Sequence, residues 1–405
     1  MKKLFSRLLT RLGRVRRADT GLVTFRVTSV PANTPVGATI YLTGNCNGWT
    51  TDDPAFALAF DPADGSYVLT LPPGRRGTLD YKFCRGSWAT IETDADNRAL
   101  PNRRYLFGRG ARTVPQQVLN WEDQGGIIPP RAHSASPNVH ILSAAFALPQ
   151  LRRTRRVWVY LPPDYGSGAK RYPVLYLQDG QNVFDEFTSF AGEWGVDETL
   201  DHLAATGQDL GGCLVVAVDN GGPLRLDEYS PWRNARNRRG GEGEQYVDFL
   251  ANTLKPYIDY HYRTLPDRAH TGVGGSSMGG LIATYAALRY PAVFGRVGVF
   301  SPAYWFAGQS LLAYVMQHPP LPDTRFYFLC GTKEGPTMVP LMAALRDALH
   351  TSGVPDSDLH FNTLADGQHA EWFWRREFAA AYSWLFAEAV PEPPPASTPG
   401  ATTLA

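Results

Sequence analysis

The 405-residue chain has no apolar run of about 18 residues, the length that a membrane-crossing helix needs. It has almost no net charge, +1 at neutral pH, which removes the electrostatic reason to expect nucleic acid as a partner. Cysteine is scarce. Cys46, Cys84, Cys213 and Cys330 are too few for a disulfide framework in so long a chain, and the sequence leaves a Cys46–Cys84 pairing open. No Cys-x-x-Cys and no His-Glu-x-x-His occurs. Neither a structural zinc site nor a zincin centre is therefore expected, and no cofactor or metal is. Acids are missing from the first 18 positions, where seven Lys and Arg residues accompany Leu4, Phe5, Leu8, Leu9 and Leu12 at helical spacing. Arg7 and Arg11 interrupt the apolar core that a secretory signal requires. Residues 1–20 read as a basic tail, either frayed and solvated or amphipathic on an anionic surface, and the cytoplasm is the default location.

What is present is enough apolar residue, 43%, for a sizeable core, in two grammars. Residues 21–122 carry short alternating runs: 23–28, 39–42, 67–71 and 78–83. Asn47-Gly48, Asp64-Gly65 and Pro72-Pro-Gly74 punctuate them. That spacing predicts an immunoglobulin-like β-sandwich. Residues 123–136 have linker composition. From 137 to 390 apolar strand runs (157–161, 174–177, 214–218, 297–300, 326–329) alternate with helical stretches such as 246–260, which predicts an α/β domain with a mostly parallel sheet and helices on both faces. The Pro-rich residues 391–405 predict a disordered tail.

The densest chemical signal is Gly275-Ser-Ser-Met-Gly279, which fits Gly-x-Ser-x-Gly only with Ser277 in the middle, because Met278 stands where Ser276 would need its second glycine. A strand-like 271–274 precedes it and a helical 280–290 follows, so Ser277 is expected on a tight strand-to-helix turn as a nucleophile. The amide of Met278, at the new helix's positive end, is a candidate oxyanion donor. A hydroxyl needs a base. Among His318, His350, His360 and His369, the last lies in a turn between a strand and the final helix and is the candidate. For the acid that orients it, Glu334 follows the strand 326–329, with Asp366 as the rival. Gln181, after the sharp Gly180, is the candidate second oxyanion donor. Asp179 resembles a metal ligand but has no partner cluster. Arg225, Asp179 and Trp305 are candidate pocket residues, Trp305 having an equal claim on the core.

These stretches together resemble a known group. Tyr160-Leu-Pro-Pro-Asp-Tyr165, Asp179-Gly-Gln-Asn182, Gly275 to Gly280, Ser301-Pro302, Gly331-Thr332 with Glu334, and Gly367-Gln-His369 are similar to the esterase family of feruloyl and acetyl-xylan esterases, enterochelin-type trilactone esterases and mycolyltransferases. The resemblance implies an α/β-hydrolase fold and a Ser–acid–His triad of Ser277, Glu334 and His369, although many members have Asp in the acid region. Gly44-Asn-Cys-Asn-Gly-Trp49, Tyr81-Lys-Phe83, Gly86-Ser-Trp88 and Asn102 resemble a glycogen- or starch-binding sandwich. This implies sugar binding by Trp49, Lys82, Trp88 and Asn102, with Cys46 departing from a usual aromatic; the alternative is that both tryptophans only pack. The expected activity is serine ester hydrolysis on a small-molecule or glycan ester, with polysaccharide as a possible partner of the first domain. Three alternatives stand beside it. A siderophore trilactone esterase would use Arg225, Arg233, Arg236 and Arg238, and an acyltransferase would share the triad. A carbohydrate-binding protein with a dead hydrolase domain would use none of it. Oligomeric state is not legible.

Overall fold

The computed structural model describes residues 21–387 except 96, 109, 125–131, 190–191 and 236–237. The basic tail, the Pro-rich tail, most of the expected linker and Arg236 lie outside the described residues.

Among the described residues, the stretch 21–122 forms nine strands: β1 (Val23–Ser29), β2 (Tyr41–Gly44), β3 (Ala59–Asp61), β4 (Ser66–Leu71), β5 (Thr78–Cys84), β6 (Glu92–Thr93), β7 (Arg103–Leu106), β8 (Arg112–Gln117) and β9 (Asn120–Trp121). One sheet has the order β3-β4-β1-β8, a second β2-β5-β7, and β6 pairs with β9. Period-two patterning sends Val23, Phe25 and Val27 from one sheet, and Leu79, Tyr81 and Phe83 from the other, into a shared core with Trp121. At its margin the Glu92 side chain is fully buried. It accepts from Arg103 Nε at 2.9 Å and Nη2 at 2.7 Å, and from the Phe83 amide at 2.9 Å.

The second group follows: β10 (Val139–Leu148), β11 (Arg153–Tyr160), β12 (Val174–Gln178), β13 (Leu214–Val218), β14 (Thr271–Ser276), β15 (Arg296–Phe300), β16 (Arg325–Gly331) and β17 (Leu359–Leu364). They form one mixed sheet, β10-β11-β13-β12-β14-β15-β16-β17, antiparallel through β10, β11 and β13 and parallel from there on. β12 and β13 are buried at every residue, as inner parallel strands covered on both faces must be. The helices are α1 (Val196–Ala205), α2 (Arg225–Glu228), α3 (Gly243–Phe249), α4 (Lys255–His261), α5 (Met278–Arg289), α6 (Gly308–Gln317), α7 (Met338–Thr351) and α8 (Glu371–Phe386). The helical stretch expected over 246–260 is realised as α3 and α4 joined by a π segment, Leu250–Leu254. Pro256 lies just inside α4 and cannot donate to the carbonyl four residues back, so the ladder widens ahead of it. α5 is buried from Met278 to Leu288, and its apolar residues run all round the helix as that burial requires. This sheet order and the buried helix after β14 give the α/β-hydrolase-type architecture. None of the four cysteines is in a disulfide, so Cys46 and Cys84 are not bridged.

Glu92→Ala would remove the acceptor of the Phe83 amide and the ionic partner of the Arg103 guanidinium, which would keep only the neutral Gln116 Oε1 and Gln117 O. We expect it to lower unfolding free energy by about 3 kcal/mol, the cost of breaking a buried pair from one side, measured by urea unfolding.

Candidate active site

The loops at the carboxyl ends of β12, β14, β15, β16 and β17 carry Asp179–Asn182, Ser277, Ser301, Glu334 and His369, where open α/β sheets bind ligands. Ser277 connects β14 to α5 with φ +56° and ψ −120°, a conformation that costs a non-glycine residue energy. Its amide donates to Phe300 O at 3.0 Å, and its carbonyl accepts from Ala303 N at 2.8 Å, so main-chain bonds hold the turn. A Cβ on Gly275 would sit 2.9 Å from the Gly279 carbonyl carbon, which explains why the turn needs a residue without a side chain there. Ser276 is buried, whereas Ser277 is partly open to solvent. Met278 is the first residue of α5, so its N–H has no partner inside the helix.

His369 Nδ1 lies 2.8 Å from Glu334 Oε2. The Glu334 side chain is fully buried. Its Oε1 accepts from the Gly331 amide at 2.6 Å and from Ser301 Oγ at 2.7 Å, and Ser301 Oγ accepts in turn from the Trp374 indole at 2.8 Å. The His369 ring meets Trp374 edge-on at 5.3 Å. Asp366, the rival acid, is exposed and forms an ion pair with Arg376, which holds its carboxyl below the usual range. The acid and histidine loops touch through their main chains: a Cβ on Gly331 would stand 2.0 Å from Gly367 O.

Gln181 lies in the single turn Gly180–Asn182 after β12, its side-chain oxygen accepting from Asn220 N at 3.2 Å. Asp179 is not placed as a metal ligand. Its carboxylate takes Arg225 Nε at 2.6 Å and Nη2 at 2.8 Å, and Asn220 Nδ2 at 2.7 Å. Burial works against the Arg225 charge, and Asp179 more than restores it. Trp305 is 38% exposed beyond β15, which removes it from the core. Trp49 and Trp88 come together, ring centres 6.1 Å apart and planes 30° from parallel, with Trp88 exposed. Asn102 is exposed. Lys82 is half-buried and its Nζ donates to Leu100 O at 2.5 Å. Burial lowers its pKa, opposed by Glu92, Glu371 and Glu122.

Trp374 and Glu371 escaped the sequence reading of the site, and Ser301, though part of a motif there, was given no role for its hydroxyl. Ser301 ends a strand next to the one that ends in the acid loop, which was a legible hint; Trp374 and Glu371 gave none beyond nearness to His369. Glu371 opens α8 and is 7% exposed, its Oε1 accepting from Asn182 Nδ2 at 3.3 Å. Burial pushes its carboxyl up to about 8. Asp179 adds to this, and a backbone bond, Lys82 and Arg225 oppose it.

A family model for esterases, described as "Putative esterase", matches residues 149–385. Over 102 residues, 25% of this chain, there is 45% identity to an alpha-amylase of Niallia circulans, of which that stretch is 8%. An endo-1,4-beta-xylanase/feruloyl esterase of Xylanibacter ruminicola is 28% identical over 183 residues, 44% of this chain and 23% of that protein. The iron(III) enterobactin esterase of Escherichia coli is 24% identical over 346 residues, 81% of this chain and 76% of that one.

Because the Glu371 pKa rises on folding, the native state holds a proton that the unfolded chain gives up near the ordinary glutamate value. Wild-type stability attributable to this group is full below about pH 4.5 and falls as pH rises through about 8. Glu371→Gln lacks that loss. Its melting temperature relative to wild type is expected to climb between pH 5 and 8.5 and then level off, measured by scanning calorimetry across that range.

Proposed function

This chain belongs to that esterase family and is a carboxylic ester hydrolase, and on that premise we propose that Ser277 is its nucleophile, His369 its base and Glu334 the acid that orients the base. The observation that carries this reading is the bond from His369 Nδ1 to the buried Glu334 carboxylate, with Ser277 held in a strained strand-to-helix turn at the neighbouring strand ends. Ser277 Oγ attacks the ester carbonyl while His369 Nε2 takes its proton. The Met278 and Gln181 amides receive the oxyanion. His369 returns the proton to the leaving alcohol, and a water activated by the same ring frees the acid and restores Ser277.

We read residues 21–122 as an immunoglobulin-like module of carbohydrate-binding type joined through 123–136 to a hydrolase domain of 137–390, and acylated carbohydrate as the substrate class. The adjacent Trp49 and Trp88 rings support this, since planar indoles stack on sugar faces. So do the module-length match to an alpha-amylase and the match to a protein that includes a feruloyl esterase. The siderophore trilactone reading is favoured by the length of the match to an enterobactin esterase, 81% of this chain. The Arg225–Asp179 pair weighs against it, because that guanidinium is already neutralised and is not offered to an anionic ligand.

Ser277→Ala is expected to lower turnover of p-nitrophenyl acetate by at least about a thousandfold, and Ser276→Ala to leave it within a few-fold of wild type. Turnover retained in Ser277→Ala and lost in Ser276→Ala would overturn the assignment. Comparing acetylated or feruloylated xylo-oligosaccharide with a catecholate trilactone, by product chromatography, separates the two substrate classes. Faster turnover of the trilactone rejects the carbohydrate reading.

A further inference from the structure

The two groups of strands meet at the loop that carries Glu334. On β5, Leu79, Tyr81 and Phe83 point into their own core, so Asp80 and Lys82 occupy the opposite face. Asp80 is 7% exposed and pairs in register with Arg104 on β7. Its Oδ1 accepts from Arg104 Nε at 2.8 Å. Arg104 Nη2 then reaches across to the other group and donates to the main-chain oxygen of Lys333 at 2.9 Å. Asp80 Oδ2 stands 3.1 Å from where a Cβ on Gly335 would be. One salt-bridged pair from the N-terminal strands thus touches the residue before Glu334 and the residue after it.

That loop needs holding. It runs from Gly331 to Gly335 with a glycine at each end, and Thr332 and Lys333 are exposed. On its inner side the Gly331 amide and Ser301 Oγ fix the carboxylate. On its outer side Arg104 binds the Lys333 carbonyl. A guanidinium is a rigid planar fork, so orienting one arm on Asp80 fixes the direction of the other. Lysine on the same stem could reach one partner but not aim at both.

We propose that Arg104, oriented by Asp80, is a positioning residue for Glu334: the N-terminal strands brace the acid loop so that its carboxylate meets His369 Nδ1. The proposal rests on the reading of Ser277, His369 and Glu334 as a triad. It adds that the first group of strands is a working part of the active site even for a small ester that never touches it.

The test uses the full chain and two readouts. The first is turnover of p-nitrophenyl acetate by wild type, Arg104→Ala, Arg104→Lys and Asp80→Asn. Arg104→Ala should lower kcat about tenfold with KM within about twofold, because a displaced orienting group costs the chemical step rather than binding. Arg104→Lys should recover part of the loss, and Asp80→Asn should fall between. The second is the low-field proton resonance of His369 Nδ1–H, identified by its disappearance in Glu334→Gln, which reads the His–Glu geometry with no substrate present. It should move upfield or broaden in Arg104→Ala and return in Arg104→Lys. An unshifted resonance with kcat within twofold of wild type, in an Arg104→Ala chain that melts within a few degrees of wild type, overturns the proposal. So does a loss confined to KM. If Arg104→Ala does not fold, Asp80→Asn and Arg104→Lys decide by the same two readouts. Wild type that shows the resonance but no turnover counts against the ester chemistry of Ser277, and the resonance alone then decides on Arg104.

Discussion

The site depends on one buried carboxylate. Glu334 has lost all contact with water, and an ionised carboxylate in that position is tolerable only if its oxygens are bonded. They are bonded by a main-chain amide, a hydroxyl and an imidazole. The hydroxyl belongs to Ser301 at the end of β15. It is aimed by the Trp374 indole, which stands on the helix that begins just after His369 and meets the His369 ring edge-on. Hydrogen bonds and one ring contact thus link acid loop, end of β15, first turn of α8 and histidine in a circuit. On the proposed mechanism this circuit holds the carboxylate that orients the imidazole.

Two other acids near this circuit are handled differently. Asp179 is paired with a bidentate arginine and accepts a further bond from an amide. Glu371, with a pKa of about 8, is held mostly protonated at neutral pH by burial. Both arrangements keep uncompensated negative charge away from the turn Gly180–Asn182 and the start of α5. On the proposed mechanism those amides receive the negative charge that builds on a substrate oxygen.

Much of this was legible in the sequence because it rests on backbone. The apolar runs at 174–177 and 214–218 could only be inner strands, and Gly-x-Ser-x-Gly between a strand and a helix marked Ser277, since glycine positions report where main chains must pass close. Glu334 was favoured over Asp366 by its place after a strand, while Asp366 stayed open as the rival. What stayed hidden depends on side chains from distant segments. Nothing local to Ser301 or Trp374 says that they bond each other across 73 residues. Glu371 reads as an ordinary acid in a helix's first turn, and only burial against Asn182 makes it unusual. Lys82 fits a sugar-binding pattern, yet its charge also falls within reach of Glu371, and its neighbour Asp80 on the same face of β5 stands against the loop that carries Glu334.

The close passage of Gly331 against Gly367 has a consequence for how such a site can change. With a main-chain oxygen where any side chain on Gly331 would begin, the two loops are already as near as backbones can come. Neither can slide toward the other to accommodate a shorter acid. An aspartate at 334 would fall one carbon–carbon bond short, about 1.5 Å, and the gap could not be closed by moving the loops together. Acid length and loop spacing are thus coupled in this chain: on the proposed triad, aspartate at 334 would need a different turn beneath it. The choice between the two acids is made in the main chain.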